Sequence, residues 1–489
     1  MKSSRIGFSL VLVAPLVGLL FFGAGTNGLL AQTSADLAED VREFVAVDAE
    51  IIALKDATVI DGTGAPARPG QTILIDGGRI TSVGPSGDVE IPEGAEVIEA
   101  AGHTVIPGMV GLHNHIFYTA AGGRQAQLNF SGPRLYLASG VTTVRTTGSQ
   151  APYADINLKR SIDDGETPGP RMHITAPYIT GSGGGSPNSM AAVDSPEQAR
   201  RFVKYWAEEG ATWIKAYTDI TRENLGAAIE AAHEHGLKVT GHLCSVSFQE
   251  AVDLGIDNLE HGFLTNTDFD PNKTPDQCPP NSMITVGQEG DPAGEIAQAT
   301  IQKMIDNDVS MTSTMAVIEP FIPNRPVEDE RTLEAMAPEI REAYLDTRGR
   351  INEAGPNFPF NEEMLKKEMT FEAEFAKAGG LLAAGVDPTG IGGAIHGFGD
   401  QRNLELLVEA GFSAEEAVQI CSANGAKILG VSDELGTIAA GKVADLVVLE
   451  GDLAGDVSAI RNVTLVFKDG IGYDSPKLIE SVKGLVGVR

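Results

Sequence analysis

Between residues 108 and 430 the chain repeats one unit eight times, a short apolar run of β character followed in most cases by an amphipathic stretch. The apolar runs fall at 109–116, 141–145, 171–176, 212–217, 238–244, 258–263, 309–315 and 381–387. Helical stretches lie between several of them, as at 196–209, 222–234 and 362–378. The first of these opens with Ser195 in N-cap position and Pro196 at the first helical position, where its missing N–H costs nothing. Eight such units over roughly 320 residues predict a (β/α)8 barrel. A doubly wound open sheet has the same alternation, so the placement of polar residues has to decide between them.

The flanks have a different texture. From about 48 to 107, β-like runs such as Ala57-Thr-Val-Ile60 and Thr72-Ile-Leu-Ile75 are split by the turn segments Asp61-Gly-Thr-Gly64 and Asp76-Gly-Gly78. The texture returns at 431–480, with Ala444-Asp-Leu-Val-Val-Leu449 and Val463-Thr-Leu-Val-Phe467. Both ends are expected to build one small β-sandwich around the barrel at 108–430. Two inserts interrupt the repeat, at 265–298 after the sixth strand and at 319–360 after the seventh. The second carries a charged helix near 328–342, and long connections in these positions roof a site.

Residues 1–31 read as a secretory signal, with Lys2 and Arg5 ahead of an apolar run from Ile6 to Phe22 and a small-residue stretch ending at Ala31. Export to the periplasm or the medium is expected. An uncleaved segment of this length would serve as a membrane anchor instead. Net charge is −31, from 36 Lys+Arg against 67 Asp+Glu, which argues against nucleic acid or an anionic membrane as partner. Three cysteines (Cys244, Cys278, Cys421), an odd number without a CxxC, indicate neither a disulfide framework nor a zinc ribbon.

The chemistry gathers at strand ends. In Gly111-Leu-His-Asn-His115 the two imidazoles are two residues apart, so on a strand both project to one side. Lys215 interrupts an otherwise apolar strand, while His242, His261 and Asp387 each stand near the C-terminal end of another. Barrel enzymes place their sites at that end. Buried groups of this kind are costly unless a metal or a partner compensates them. Neutral imidazoles and a carboxylate suit Zn²⁺ and similar ions, and four histidines plus Asp387 exceed one tetrahedral shell, so two metals are expected. A lysine ammonium cannot ligate a cation, but a desolvated lysine can react with CO2 and become a bridging carbamate.

This order of residues, HxH on strand one, Lys on four, His on five and six and Asp on eight, resembles the amidohydrolase superfamily. The segments Val105-Ile-Pro-Gly-Met-Val-Gly-Leu-His113, Gly140-Val-Thr-Thr-Val-Arg145 and Gly441-Lys-Val-Ala-Asp-Leu-Val447 are similar to its imidazolonepropionase-like and prolidase-like branch. The resemblance implies a distorted barrel with a binuclear site. His113, His115 and Asp387 would hold one metal, His242 and His261 the other, and carbamylated Lys215 would bridge them. It implies metal-assisted hydrolysis of an amide with Asp387 as proton shuttle, on an N-acyl amino acid, an Xaa-Pro dipeptide or a cyclic amide. Many relatives read Arg-Asp-x-Gly where this chain has Arg145-Thr-Thr-Gly148, and Gly-Thr-Asp where it has Gly385-Val-Asp387.

Tyr217, Arg145 and His396 are expected to contact substrate at the mouth. Cys244 reads as packing, and Gly181-Ser-Gly-Gly-Gly185 as a lip after strand three. A homo-oligomer acting on a small molecule is expected. Two rival readings stand beside this one. A mononuclear deaminase would place Glu three residues after the strand-five histidine, where this chain has Ser245. A non-catalytic scaffold would not need every ligand position filled.

Overall fold

The barrel strands are β1 Met109–Asn114, β2 Val141–Thr146, β3 Arg171–Gly181, β4 Trp213–Ala216, β5 Lys238–Gly241, β6 Asn258–Glu260, β7 Ser310–Ser313 and β8 Leu382–Ala384. This is a computed structural model describing residues 33–182, 189–326 and 329–489. The segment expected to be a secretory signal and most of the glycine-rich lip lie outside those residues. Each strand pairs in parallel with the next in sequence. A doubly wound sheet reverses its strand order at a switch point, and this one does not. The ring closes where the Asp387 N–H donates to the His113 carbonyl at 2.7 Å. Gly385 permits that approach, because a Cβ there would stand 2.3 Å from the His113 nitrogen.

Burial on both faces explains why these strands read as apolar runs instead of alternating ones; every residue of β1 and β2 is buried. Helices cover the outside, among them Pro152–Asp163, Pro196–Glu208, Arg222–Glu234, Glu362–Lys377 and Phe398–Glu409. Ser195 Oγ accepts from the Gln198 N–H at 3.3 Å and Pro196 takes the first turn, which fixes where that helix begins.

Both flanks join one nine-stranded mixed sheet. Its strand order is Val45–Val47, Ile471–Asp474, Val463–Lys468, Leu446–Glu450, His103–Pro107, Ile51–Val59, Arg68–Asp76 and Arg79–Pro85, with Glu96–Glu99 added against Ile51–Val59. It encloses an apolar core that includes Ile52, Leu54, Ile73, Ile75, Val105 and Phe467. Arg171, at the start of β3, ties barrel to sheet through Asp445 at 3.0 Å and Asp469 at 2.5 Å.

Two expectations need correction. The charged stretch after β7 is two helices, Glu330–Ala335 and Pro338–Ala354. Pro338 holds the preceding residues extended, which a single helix cannot accommodate. The cysteines are not all unpaired: Cys244 and Cys278 form a disulfide, and Cys421 is free and buried. The insert after β6 folds back over the end of β5, bringing two Cα atoms 34 residues apart in sequence to 4.9 Å.

Candidate metal centre

Alternation along β1 sends His113 and Asn114 to opposite sides, and His115 follows His113 into the barrel mouth. On β4 the inward positions are Trp213 and Lys215. Beyond β5 the inward residue is His242. His113, His115, Lys215 and His242, with His261, Asp387 and Tyr217, line one cavity of about 240 Å³ at the C-terminal end of the barrel. Ligand atoms of His113, His261 and Asp387 lie within 4.8 Å of one another. His242 packs edge-on to His261 at 4.4 Å between ring centres, and His115 Nε2 stands 3.3 Å from Asp387 Oδ1. This trio therefore draws two members, His113 and Asp387, from one of the two ligand groups that the resemblance implies and one, His261, from the other.

His261 reaches this cluster by breaking the strand rule. Asn258 and Glu260 face the barrel interior, so the next residue of a regular strand would face out. The strand stops at Glu260, and His261 takes a left-handed backbone conformation (φ 65°) that turns its ring into the mouth. Asp387, three residues beyond the end of β8, is also left-handed (φ 46°). Glu368, on the helix behind, accepts from the Phe263 and Leu264 N–H groups at 2.9 Å each and holds the turn after His261.

Three of the four imidazoles have a hydrogen-bond partner at Nδ1. His113 Nδ1 meets Glu260 Oε2 at 2.8 Å, His115 Nδ1 the Gly148 carbonyl at 3.1 Å, and His261 Nδ1 the Thr314 hydroxyl at 2.7 Å. Such contacts fix tautomer and ring orientation, leaving the His113 and His115 Nε2 lone pairs directed at the cavity. Gly148 also needs to be glycine, since a Cβ there would meet the Tyr178 ring at 2.7 Å.

Burial shapes the electrostatics. Loss of solvation, with the charge of Lys215 nearby, lowers His113 from 6.5 to about 4 and His242 to about 3. His261 is pushed well down by burial and its histidine neighbours. Burial opposes ionisation of Asp387, but His113, His115 and His261 outweigh it and hold the carboxyl well below its usual range. Lys215 is fully buried, and burial lowers it to about 8. Its Nζ lies 3.8 Å from Glu260 Oε1 and makes no hydrogen bond. Imidazoles, an ionised carboxylate and a buried amine without a hydrogen bond form a donor set that fits divalent ions and a carbamate.

Two residues expected at the mouth are elsewhere. Arg145 lies a layer deeper, fully buried, with its guanidinium 4.4 Å from the Trp213 ring and bonded to Glu260 at 2.6 Å and to the Leu112 carbonyl at 2.7 Å. The buried carboxylate and the indole draw it down the barrel axis. His396 is enclosed against the rings of Tyr118 and Tyr136, where burial lowers it to about 3. Neither lines the cavity, and Tyr217 does.

Sequence reasoning missed Glu260 and Tyr178. Glu260 joins Arg145, Thr240 and His113 from inside the barrel. Its signal was an inward-parity acid two residues after Asn258 on a short strand. Tyr178 places its hydroxyl 3.3 Å from His115 Nε2; one aromatic in an apolar strand carries no comparable signal.

A family model described as the amidohydrolase family matches residues 104–270 and 335–471. Enamidase of Eubacterium barkeri is 25% identical over 206 residues, 40% of this chain and 50% of that protein. Imidazolonepropionase of Streptomyces avermitilis is 34% identical over 149 residues, 30% of this chain and 32% of that protein. The chain thus spans half or less of these curated relatives. A solved Xaa-Pro dipeptidase with methionine bound in its active site superposes with a TM-score of 0.64 at 22% identity, over 87% of this chain and 100% of that one, a likeness of fold.

Proposed function

The chain belongs to the amidohydrolase family, and from that premise we propose that it is a metal-dependent hydrolase of a carbon–nitrogen bond in a small amide. The observation that carries the reading is the convergence of His113, His261 and Asp387 within 4.8 Å at the barrel mouth, beside the buried Nζ of Lys215, which makes no hydrogen bond. The residues that would hold two divalent ions, with zinc the first candidate, are His113, His115, His242, His261, Asp387 and a Lys215 carbamate. Bound there, such ions supply Lewis-acid polarisation of a carbonyl and acidify water.

The chain's own groups supply the rest. Lys215, lowered to about 8, has a neutral-amine fraction at pH 7 that adds to CO2, loses a proton and leaves an anionic carbamate. Asp387 is held ionised, with Oδ1 accepting from the Thr389 hydroxyl at 2.9 Å, so its carboxylate is oriented to take a proton from the attacking water and return it to the leaving nitrogen. Glu260 keeps the His113 ring in one tautomer. Tyr217 and Tyr178 wall the cavity and orient the substrate. N-acyl amino acids, Xaa-Pro dipeptides and cyclic amides remain the substrate classes of this reading, and a homo-oligomer its expected state.

Metal content per chain, measured together with hydrolysis of N-acyl amino acids, dipeptides, lactams and lactones, tests the proposal. About two ions per chain with amide cleavage is expected; one ion with deamination, or none without turnover, overturns it. Export belongs to the same reading, and the disulfide supports it because such bonds persist in oxidising compartments. N-terminal sequencing of natively produced protein should begin at Gln32, and an intact Met1 in a cytoplasmic fraction refutes export.

A further inference from the structure

A second cavity, of about 300 Å³, opens at the same end of the barrel and shares the His242 side chain with the metal-side cavity. Three connections build it. Leu243 and Cys244 come from the end of β5, Leu264 and the 278–284 segment from the insert after β6, and Phe360 from the insert after β7. The Cys244–Cys278 disulfide is part of its wall and ties the roof segment to the residues just beyond His242.

Among the described residues its lining contains no Asp, Glu, Lys or Arg, although the chain as a whole carries a net charge of −31. Leu243 and Leu264 are buried in its floor, while Met283, Ile284 and Phe360 are half-buried around it. Two of its hydroxyls are already used, Thr265 on the Glu260 carbonyl and Thr267 on the Cys244 carbonyl. Ser282 Oγ is buried without a hydrogen bond, and His242 and Asn281 are further polar residues of the lining. A cavity of about 150 Å³ suffices for benzene, so this one has room for an aryl or branched alkyl group.

We propose that this chamber is the side-chain subsite of the enzyme. The amide it cleaves carries a large, uncharged apolar group a few bonds from the scissile carbonyl, and that group lodges between the disulfide, Met283 and Phe360. The assignment rests on the amide-hydrolase reading and adds to it the class of substrate. A chamber without charged groups strips water from an apolar group at little cost and rejects an ionised one, which would lose its hydration unpaired.

The experiment compares kcat/KM of the metal-loaded enzyme on N-acetylglycine, N-acetylalanine, N-acetylphenylalanine, Gly-Pro and Phe-Pro. A preference of about 10-fold or more for the phenyl-bearing member of each series is expected. Met283→Trp, which grows into the chamber, should reduce that ratio about 10-fold, and Met283→Ala should extend acceptance to naphthyl groups. Circular dichroism melts establish that both variants fold. Equal rates across a series, or a ratio that neither variant moves, overturns the subsite. Cleavage of no amide at all overturns the amide reading instead. Calorimetry with N-acetylphenylalanine and N-acetylglycine then judges the chamber, upheld by tighter phenylalanine-derivative binding that Met283→Trp abolishes and refuted by equal binding.

Discussion

A lysine whose ammonium is shut away from water without a hydrogen bond, its nearest carboxylate 3.8 Å away at Glu260, persists only if it sheds part of its charge or has it matched. Lys215 does the first in part, being lowered to about 8, and a carbamate would complete the change of sign. Lys215→Ala is therefore expected to lose most metal and activity, with short-chain carboxylic acids plus added metal restoring part of both. A fully active Lys215→Ala enzyme removes the carbamate. Asp387→Asn should keep the fold and some metal, since an amide oxygen still ligates, yet lose about 10²–10⁴-fold in kcat because it cannot carry a proton. Turnover within a few-fold of the parent at normal metal content would dismiss Asp387 as the shuttle. At this scale the ligand types were legible as titratable groups on apolar strands. Arg145 was misplaced because its partner, Glu260, lies 115 positions away and only the closed barrel brings them to 2.6 Å.

Among the elements, the insert after β6 does most to shape the mouth. Cys278 anchors it to the end of β5, across a separation of 34 residues. Chain-entropy arguments give such a closure about 3–4 kcal/mol. Cys278→Ser should lower Tm by several degrees, and reducing agent should lower the parent to match; unchanged melting in both would show that the bridge constrains nothing. Strand positions were readable within a few residues because burial on both faces leaves continuous apolar runs. The ends of β6 and β8 were not, since a left-handed residue at His261 or Asp387 leaves no mark in a hydrophobic pattern.

Across the whole molecule, the buried imidazoles couple folding to pH. His113 drops from 6.5 to about 4 and His242 to about 3, so between those values and 6.5 the unfolded chain binds more protons than the folded one. Stability of chelator-treated protein should be at its plateau above about pH 6.5 and fall progressively towards pH 4. Asp387 and Glu260, both held low, add a loss of the same sign at more acidic pH. Thermal melts from pH 7.5 to 4.5 measure this, and a flat Tm would show that these histidines are not buried neutral.

What the sequence determined by itself was the barrel, the two-ended sheet and the identity of the groups at the strand ends. Those follow from local rules: side-chain alternation, the length of apolar runs and the cost of burying a titratable group. Only the tertiary structure decided which groups meet. Ring closure at Gly385 brings Asp387 to His113, the folded-back insert joins Cys244 to Cys278, and Glu260 draws Arg145 inward. Each of these is a contact between segments distant along the chain, and its energy depends on packing geometry that no local pattern records.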